Sequence, residues 1–307
     1  MNIPDSHRSP KNPLRFLPLS GALLFSAFIV MGDSLNSSSS HLTAIDKEYN
    51  MMLDSCEYYI SRNHWKEAEE SVRKCLRKYP ASPLNGMLFY NLGMAQIGQE
   101  KYPEAEESFS LALVRDENNP QYLLGRARCR LLMKEPASAE EDLNLILSTD
   151  SLNFEALYNR SVSSRMEGKI EMAAEDLSRI LRHQPEDLPA LSSLGEIMIN
   201  QGNYTEAESL LSKALQLHSA SHSETDTSAD DRFMLIMAYL GQEKDSEAEE
   251  AIREALKSFP RDGRFYMTRA ILSRKRFQNH DAALDKKIAS QYGVDSQILD
   301  YFLPDIR

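Results

Sequence analysis

The chain has 307 residues, 42% of them hydrophobic, with 12 glycines and a formal net charge of −11. Such acidity argues against nucleic acid or an anionic membrane surface as the main partner, because like charges repel. Three cysteines, Cys56, Cys75 and Cys129, without a CxxC or any Cys/His ligand spacing, argue against a disulfide scaffold and a structural zinc site.

Residues 1–15 are polar, with Arg8, Lys11 and Arg15 against one acid, Asp5, and residues 16–31 then run apolar. A basic start, a short apolar core and the small or β-branched residues around Val30 and Gly32 read as a secretory signal over 1–32, cleaved or retained as an anchor. Positive charge ahead of the segment keeps the N-terminus cytoplasmic. Either reading exports the rest of the chain, to a periplasm or another trans compartment, with membrane contact only through residues 16–31. Residues 33–46, with Asn36 followed by four serines, read as a flexible linker.

An alanine then recurs in an acidic helical setting, at Ala68, Ala105, Ala139, Ala173, Ala207, Ala248 and Ala282. The intervals are 37, 34, 34, 34, 41 and 34 residues. A fixed period of this length marks stacked helix–turn–helix units, none of which buries its own apolar face alone. Gly93 and Gly195 lie twelve residues before two of the alanines, and Pro80, Pro185 and Pro260 twelve after three others. Small residues there let antiparallel helices approach, Gly93 facing Ala105 and Gly195 facing Ala207.

This pattern resembles the tetratricopeptide repeat family. The resemblance implies an all-α, right-handed superhelical solenoid of about seven hairpins over residues 47–292, with repeats starting near 49, 86, 120, 154, 188, 229 and 263. Asn63, Gly98, Gly168 and Gly202 fall at the turns inside hairpins, where a left-handed conformation costs glycine nothing. The polar stretch 218–231 reads as a mobile surface loop rather than a metal site of His218, His222 and Asp226. Residues 293–307 read as a helix that caps the apolar face of the last repeat.

No nucleophile elbow, phosphate loop, dinucleotide fingerprint or zinc-protease motif is present. The Glu-Ala-Glu-Glu runs recur on the second helices and read as a solvated face, so neither an enzyme nor a bound cofactor is expected. In the family, first helices line a concave groove. Carried over position by position, that gives Met87, Tyr90, Asn91 and Met94, then Gln121, Leu124 and Arg128, then Glu155, Tyr158, Asn159 and Arg165, and later Phe233. Asn91 and Asn159 fall where members of the family hydrogen-bond a ligand backbone. The family's clamp for a C-terminal carboxylate is absent, since Leu53, Glu57, Gln121 and Gly125 stand around Asn91. Cys56 and Cys75, at positions eight and twenty-seven of the first repeat, fall about 10 Å out of register along a helix and are not expected to pair.

The expected function is an exported, non-enzymatic scaffold or assembly factor that recognises a protein or peptide partner through the groove. The alternative is an accessory subunit that presents a glycan or polymer to a separate envelope enzyme. That role needs aromatics stacked in adjacent repeats, and Tyr90, Tyr158 and Phe233 are not adjacent.

Overall fold

A computed structural model describes residues 44–82, 85–221, 226–304 and 306; the expected signal segment and most of the linker lie outside them. Among the described residues, no helix is long and apolar enough to cross a membrane. The regular structure there is entirely helical.

Among the described residues, those from 44 to 183 form one compact unit and those from Gln184 a second. The first holds four helix pairs: α1 (Ala44–Ser61) with α2 (Trp65–Lys78), α3 (Asn85–Ile97) with α4 (Tyr102–Leu113), α5 (Pro120–Leu132) with α6 (Pro136–Thr149), and α7 (Phe154–Met166) with α8 (Ile170–His183). The second holds α9 (Leu188–Asn200) with α10 (Tyr204–Ser221), α11 (Asp226–Gly241) with α12 (Asp245–Ser258), α13 (Gly263–Lys275) with α14 (Asn279–Gln291), and a last short helix α15 (Ser296–Phe302). Within each unit every helix packs on the next. First helices also touch one another, α1–α3–α5–α7 in one unit and α9–α11–α13 in the other.

The phase of the alanines is the phase of the turns. Five residues before each alanine stands a left-handed residue: Asn63, Glu100, Lys134, Gly168, Gly202, Glu243 and Phe277. Each closes its helix with a pair of backbone bonds, as where Asn63 N donates to Ile60 O at 3.0 Å and His64 N to Tyr59 O at 2.9 Å. These bonds satisfy carbonyls that a helix end leaves open. Only two of the seven are glycine, so the turn is imposed by packing as much as by local preference.

Gly98 is not one of them. A Cβ there would come within 2.2 Å of the Trp65 ring, and at Gly241 within 2.6 Å of the Tyr204 ring. Both glycines seat an aromatic from the preceding pair. Gly93 and Gly195 are also small for a different neighbour than expected: their Cβ atoms would strike Phe109 at 2.7 Å and Leu211 at 2.8 Å. Those residues lie one turn beyond Ala105 and Ala207. All seven phase alanines are fully buried, and Cys56, Cys75 and Cys129 are buried free thiols.

The acidic runs on the second helices are not uniformly solvated. The glutamate directly after the alanine reaches a cation of the following pair: Glu69 to Lys101 at 2.9 Å, Glu106 to Arg130 at 2.8 Å, Glu140 to Lys169 at 2.7 Å, Glu208 to Lys244 at 2.6 Å and Glu249 to Arg276 at 2.8 Å. The next glutamate (Glu70, Glu107, Glu141, Glu250) faces water, and of the paired ones Glu249 is exposed as well. Twice the receiving turn is Gly-Gln-Glu-Lys, and its glutamine donates to the same carboxylate, Gln99 to Glu69 at 2.8 Å and Gln242 to Glu208 at 2.7 Å.

Burial alone would raise the Glu69 carboxyl, but Lys101, Arg73 and Gln99 more than offset it and hold it at about 2. A carboxyl depressed on folding stabilises above its unfolded pKa, about 4.3, and that contribution fades as pH falls toward 2. Glu69→Gln should therefore lower stability by about 1–2 kcal/mol at pH 7, allowing for screening at the exposed Lys101 and Arg73. In denaturant titrations the gap between variant and wild type should close between pH 5 and pH 2.

A second buried charge pattern ties first helix to second. Arg126 grips Asp142, Arg160 grips Asp176 and Arg269 grips Asp285, each through two bonds of 2.7–2.9 Å. The three aspartates are no more than 4% exposed. Arg160 also donates to Asn144 on α6 at 2.8 Å, so one guanidinium holds three helices.

The expected 218–231 loop is mostly helix. Helix α10 runs on to Ser221 and α11 begins at Asp226, leaving 222–225 outside the described residues. His218 is buried, with Nε2 3.0 Å from Asp231 Oδ2, and Ser192 donates to the same oxygen at 2.9 Å. A buried carboxylate partner is what lets this polar stretch stay helical. At the other end, Leu303 and Ile306 close over Ala270 and Ala282. Lys286 holds that tail by donating to Leu303 O at 3.0 Å and Ile306 O at 2.9 Å, and Arg274 donates to Phe302 O at 3.1 Å. The cap is thus a short helix together with the strand of chain after it.

Candidate functional site

Glu57, Tyr90, Asn91, Arg128, Glu155 and Tyr158 lie on the first helices of the first unit, α1, α3, α5 and α7. Helix α5 is fixed at its start by Asn119, whose side chain accepts from Gln121 N and Tyr122 N. Helix α7 is fixed in the same way by Asn153, which accepts from Ala156 N. Such N-caps set where along each helix the side chains fall.

At the centre Tyr90 is half-buried, its ring 5.6 Å from that of Tyr122 and 5.7 Å from that of Phe109. Burial pushes its hydroxyl up, Arg128 opposes this, and Glu155 and Tyr122 add to it. Arg128 on α5 is paired with Glu155 on α7. An aromatic, a cation and an anion from three successive pairs therefore share one patch.

The two asparagines separate. Asn159 is buried and donates Nδ2 to Glu155 O of its own helix at 2.7 Å, so it serves the helix. Asn91 is also buried, at 6% exposure; its Nδ2 makes no close hydrogen bond, and the acceptor it acts on is the Glu57 carboxyl, which it pulls down against burial and Asp54. A buried donor without a close bond gains from an acceptor that comes nearer.

The remaining candidates divide by depth. Tyr158 and Arg165 are half-buried on α7. Met94 is buried in an apolar cluster with Ile97, Ala105, Phe109 and Cys129, and packs the core. Phe233 belongs to the second unit, is 1% exposed, and lies beneath the Arg264 guanidinium at 5.4 Å. It is a packing residue. Position in the repeat gives the face of the helix, whereas the neighbouring helices decide how deep a side chain sits.

The basic final pair offers little free charge. Arg264 pairs with Asp262 and Asp230, Arg269 with Asp285, Lys275 with Asp245, Arg276 with Glu249, and Lys286 with Asp300. Among the described residues, no group of His, Cys, Asp and Glu could hold a metal ion.

Two family models, both described as tetratricopeptide repeat, match residues 186–261 and residues 57–120 and 90–156. No curated protein matches the sequence. Among solved structures, a tetratricopeptide repeat protein from Parabacteroides merdae is 24% identical, covering 84% of this chain and 98% of its own, with a TM-score of 0.61. PilW, a type IV pilus biogenesis factor, is 19% identical over 70% of this chain and 94% of its own, with a TM-score of 0.60. In the Cut9–Hcn1 hetero-tetramer of APC/C, a chain 15% identical covers 86% of this one and 56% of its own, with a TM-score of 0.60. At these identities the likeness is one of fold. With seven left-handed turns on one phase, and repeat-family matches in both units, the chain belongs to the tetratricopeptide repeat family.

Proposed function

We propose that this chain is an exported, non-enzymatic scaffold or assembly factor that holds an extended segment of a protein partner on the α1–α3–α5–α7 face. The observation that carries the reading is Asn91, a buried amide donor without a close hydrogen bond, beside a half-buried tyrosine. A main-chain carbonyl of a bound peptide satisfies it. Half-buried aromatics beside it supply contact area at small entropic cost. A glycan would need an open aromatic platform, and Tyr90 already lies against Tyr122 and Phe109.

Asn91→Ala should weaken partner capture about five- to ten-fold, because it strands one polar group of the ligand. Asn159→Ala should leave capture unchanged, since that side chain is occupied within its helix. The check is pull-down from the native host with both variants, with circular dichroism as the folding control. Equal capture by wild type and Asn91→Ala would remove the binding site from this face.

The export part of the proposal rests on the basic start and apolar run of residues 1–32. A reporter active only in the cytoplasm, fused after Arg307, should stay silent. Strong reporter activity would exclude both the cleaved and the anchored form.

A further inference from the structure

We propose that the cleft between α2 and the α3–α4 turn is a site for a dianionic phosphoryl group, bound by Lys66, Arg73, Arg77 and Lys101. It lies on the second-helix side of the first unit and does not depend on the peptide-binding reading above.

The cleft has a volume of about 410 Å³ and is lined by these four cations together with Glu69, Glu70 and Gln99. Lys66, Arg73 and Arg77 fall along one stripe of α2. Glu69 is already held by Arg73 at 2.8 Å, Lys101 at 2.9 Å and Gln99 at 2.8 Å. Arg73 spends Nε and Nη2 on that carboxylate, which leaves its Nη1 to a ligand. Lys66 and Arg77 are exposed and, among the described residues, bond no acid. Four cations against two carboxylates leave the cleft two charges positive. A phosphate monoester, at about −1.5 to −2 near pH 7, matches that charge better than one side-chain carboxylate does.

The same joint recurs in the second unit without these bases. There Gly241 seats Tyr204 as Gly98 seats Trp65, and Glu208 takes Lys244 and Gln242 as Glu69 takes Lys101 and Gln99. Counted from the phase alanine, Thr205, Ser212 and Gln216 stand where Lys66, Arg73 and Arg77 stand in the first. The joint thus forms without a cationic stripe, and packing does not account for the one on α2. Nor does the helix dipole account for Lys66, which lies in the first turn of α2, the end that favours anions. Helix α12 has bases at two of the three positions, Arg253 and Lys257, but Glu250 and Glu254 of the same helix take them up.

Trp65, the one tryptophan of the chain, stands next to Lys66, and its carbonyl accepts from Gln99 at 3.3 Å, so its emission is a reporter at the cleft. The full-length chain is titrated with inorganic phosphate against chloride at constant ionic strength, by fluorescence and by calorimetry. Phosphate should bind saturably, and Lys66→Thr/Arg77→Gln, which copies the second joint, should raise the apparent Kd about ten-fold. Glu70→Gln, which removes an opposing carboxylate, should lower it about two- to three-fold. Circular dichroism checks the fold of each variant. Phosphatidate vesicles are compared with phosphatidylcholine vesicles, which subtracts any binding through residues 16–31. A response to phosphatidate that the double variant loses, with none to free phosphate, would make the source a lipid headgroup. No binding of phosphate or phosphatidate in either measurement, or equal binding by wild type and the double variant, would overturn the site. Poly-glutamate bound more tightly than phosphate, and lost in the same variant, would replace it with a surface for an acidic protein segment.

Discussion

Phe109→Ala should destabilise the first unit by about 3–5 kcal/mol, the largest loss expected from any single truncation in this chain. The ring is fully buried, and it fills space kept open by glycines on two different helices. A Cβ at Gly93 would come within 2.7 Å of it, and one at Gly125 within 2.4 Å. Removing the ring leaves a cavity against two backbones, and α3 and α5 cannot both close on it without breaking their contacts with α4. Leu111, on the same helix but 42% exposed, should lose less than about 1 kcal/mol when cut to Ala. Urea unfolding of the two variants would measure the difference. Because helices in such an array contact mainly their sequence neighbours, hydrogen exchange should accelerate first in α3, α4 and α5.

The second large effect is at Asp176. Asp176→Ala leaves the Arg160 guanidinium partly buried, without the carboxylate that holds it at 2.7 and 2.8 Å. The expected cost is about 3 kcal/mol, most of it the penalty for an unmatched charge. The pair itself is worth far less than that, and the molecule supplies the comparison. Thirty-four residues on, Leu194 and Leu210 occupy the same two repeat positions. The double variant Arg160→Leu/Asp176→Leu should therefore recover most of the loss, to within about 1 kcal/mol of wild type. A double variant as unstable as Asp176→Ala would show that the bridge to Asn144 carries the energy.

These residues also mark where sequence reasoning stopped. The alanines were readable because every hairpin needs a fully buried small residue at one phase, and the period survives two insertions. Asp142 and Asp176 were hidden because an aspartate beside glutamates looks solvated, and Asp285 because the lysines after it do; the arginine sixteen residues earlier was the missing cue. Gly98 looked like a turn glycine because it lies two residues from a turn, yet the left-handed residue is Glu100 and the glycine answers to Trp65. The 218–231 stretch has the composition of a loop, and only the buried pairing of His218 with Asp231 keeps its ends helical. At the proposed binding face, register singled out Tyr90, Asn91 and Tyr158 together with Met94, Asn159 and Phe233. It did not sort surface from core, because depth depends on which neighbour covers each side chain: Phe109 and Cys129 around Met94, Arg264 over Phe233.

The claim that most needs testing is that the partner lies on the first-helix face of the first unit. A photo-crosslinking amino acid placed at Gln121, exposed on α5, or at Leu145, exposed on the second helix α6, samples the two sides of one hairpin. Irradiated in the native host, the chain should yield a partner adduct from position 121 and none from position 145. An adduct from position 145 with none from position 121 would place the partner on the second helices and contradict the account.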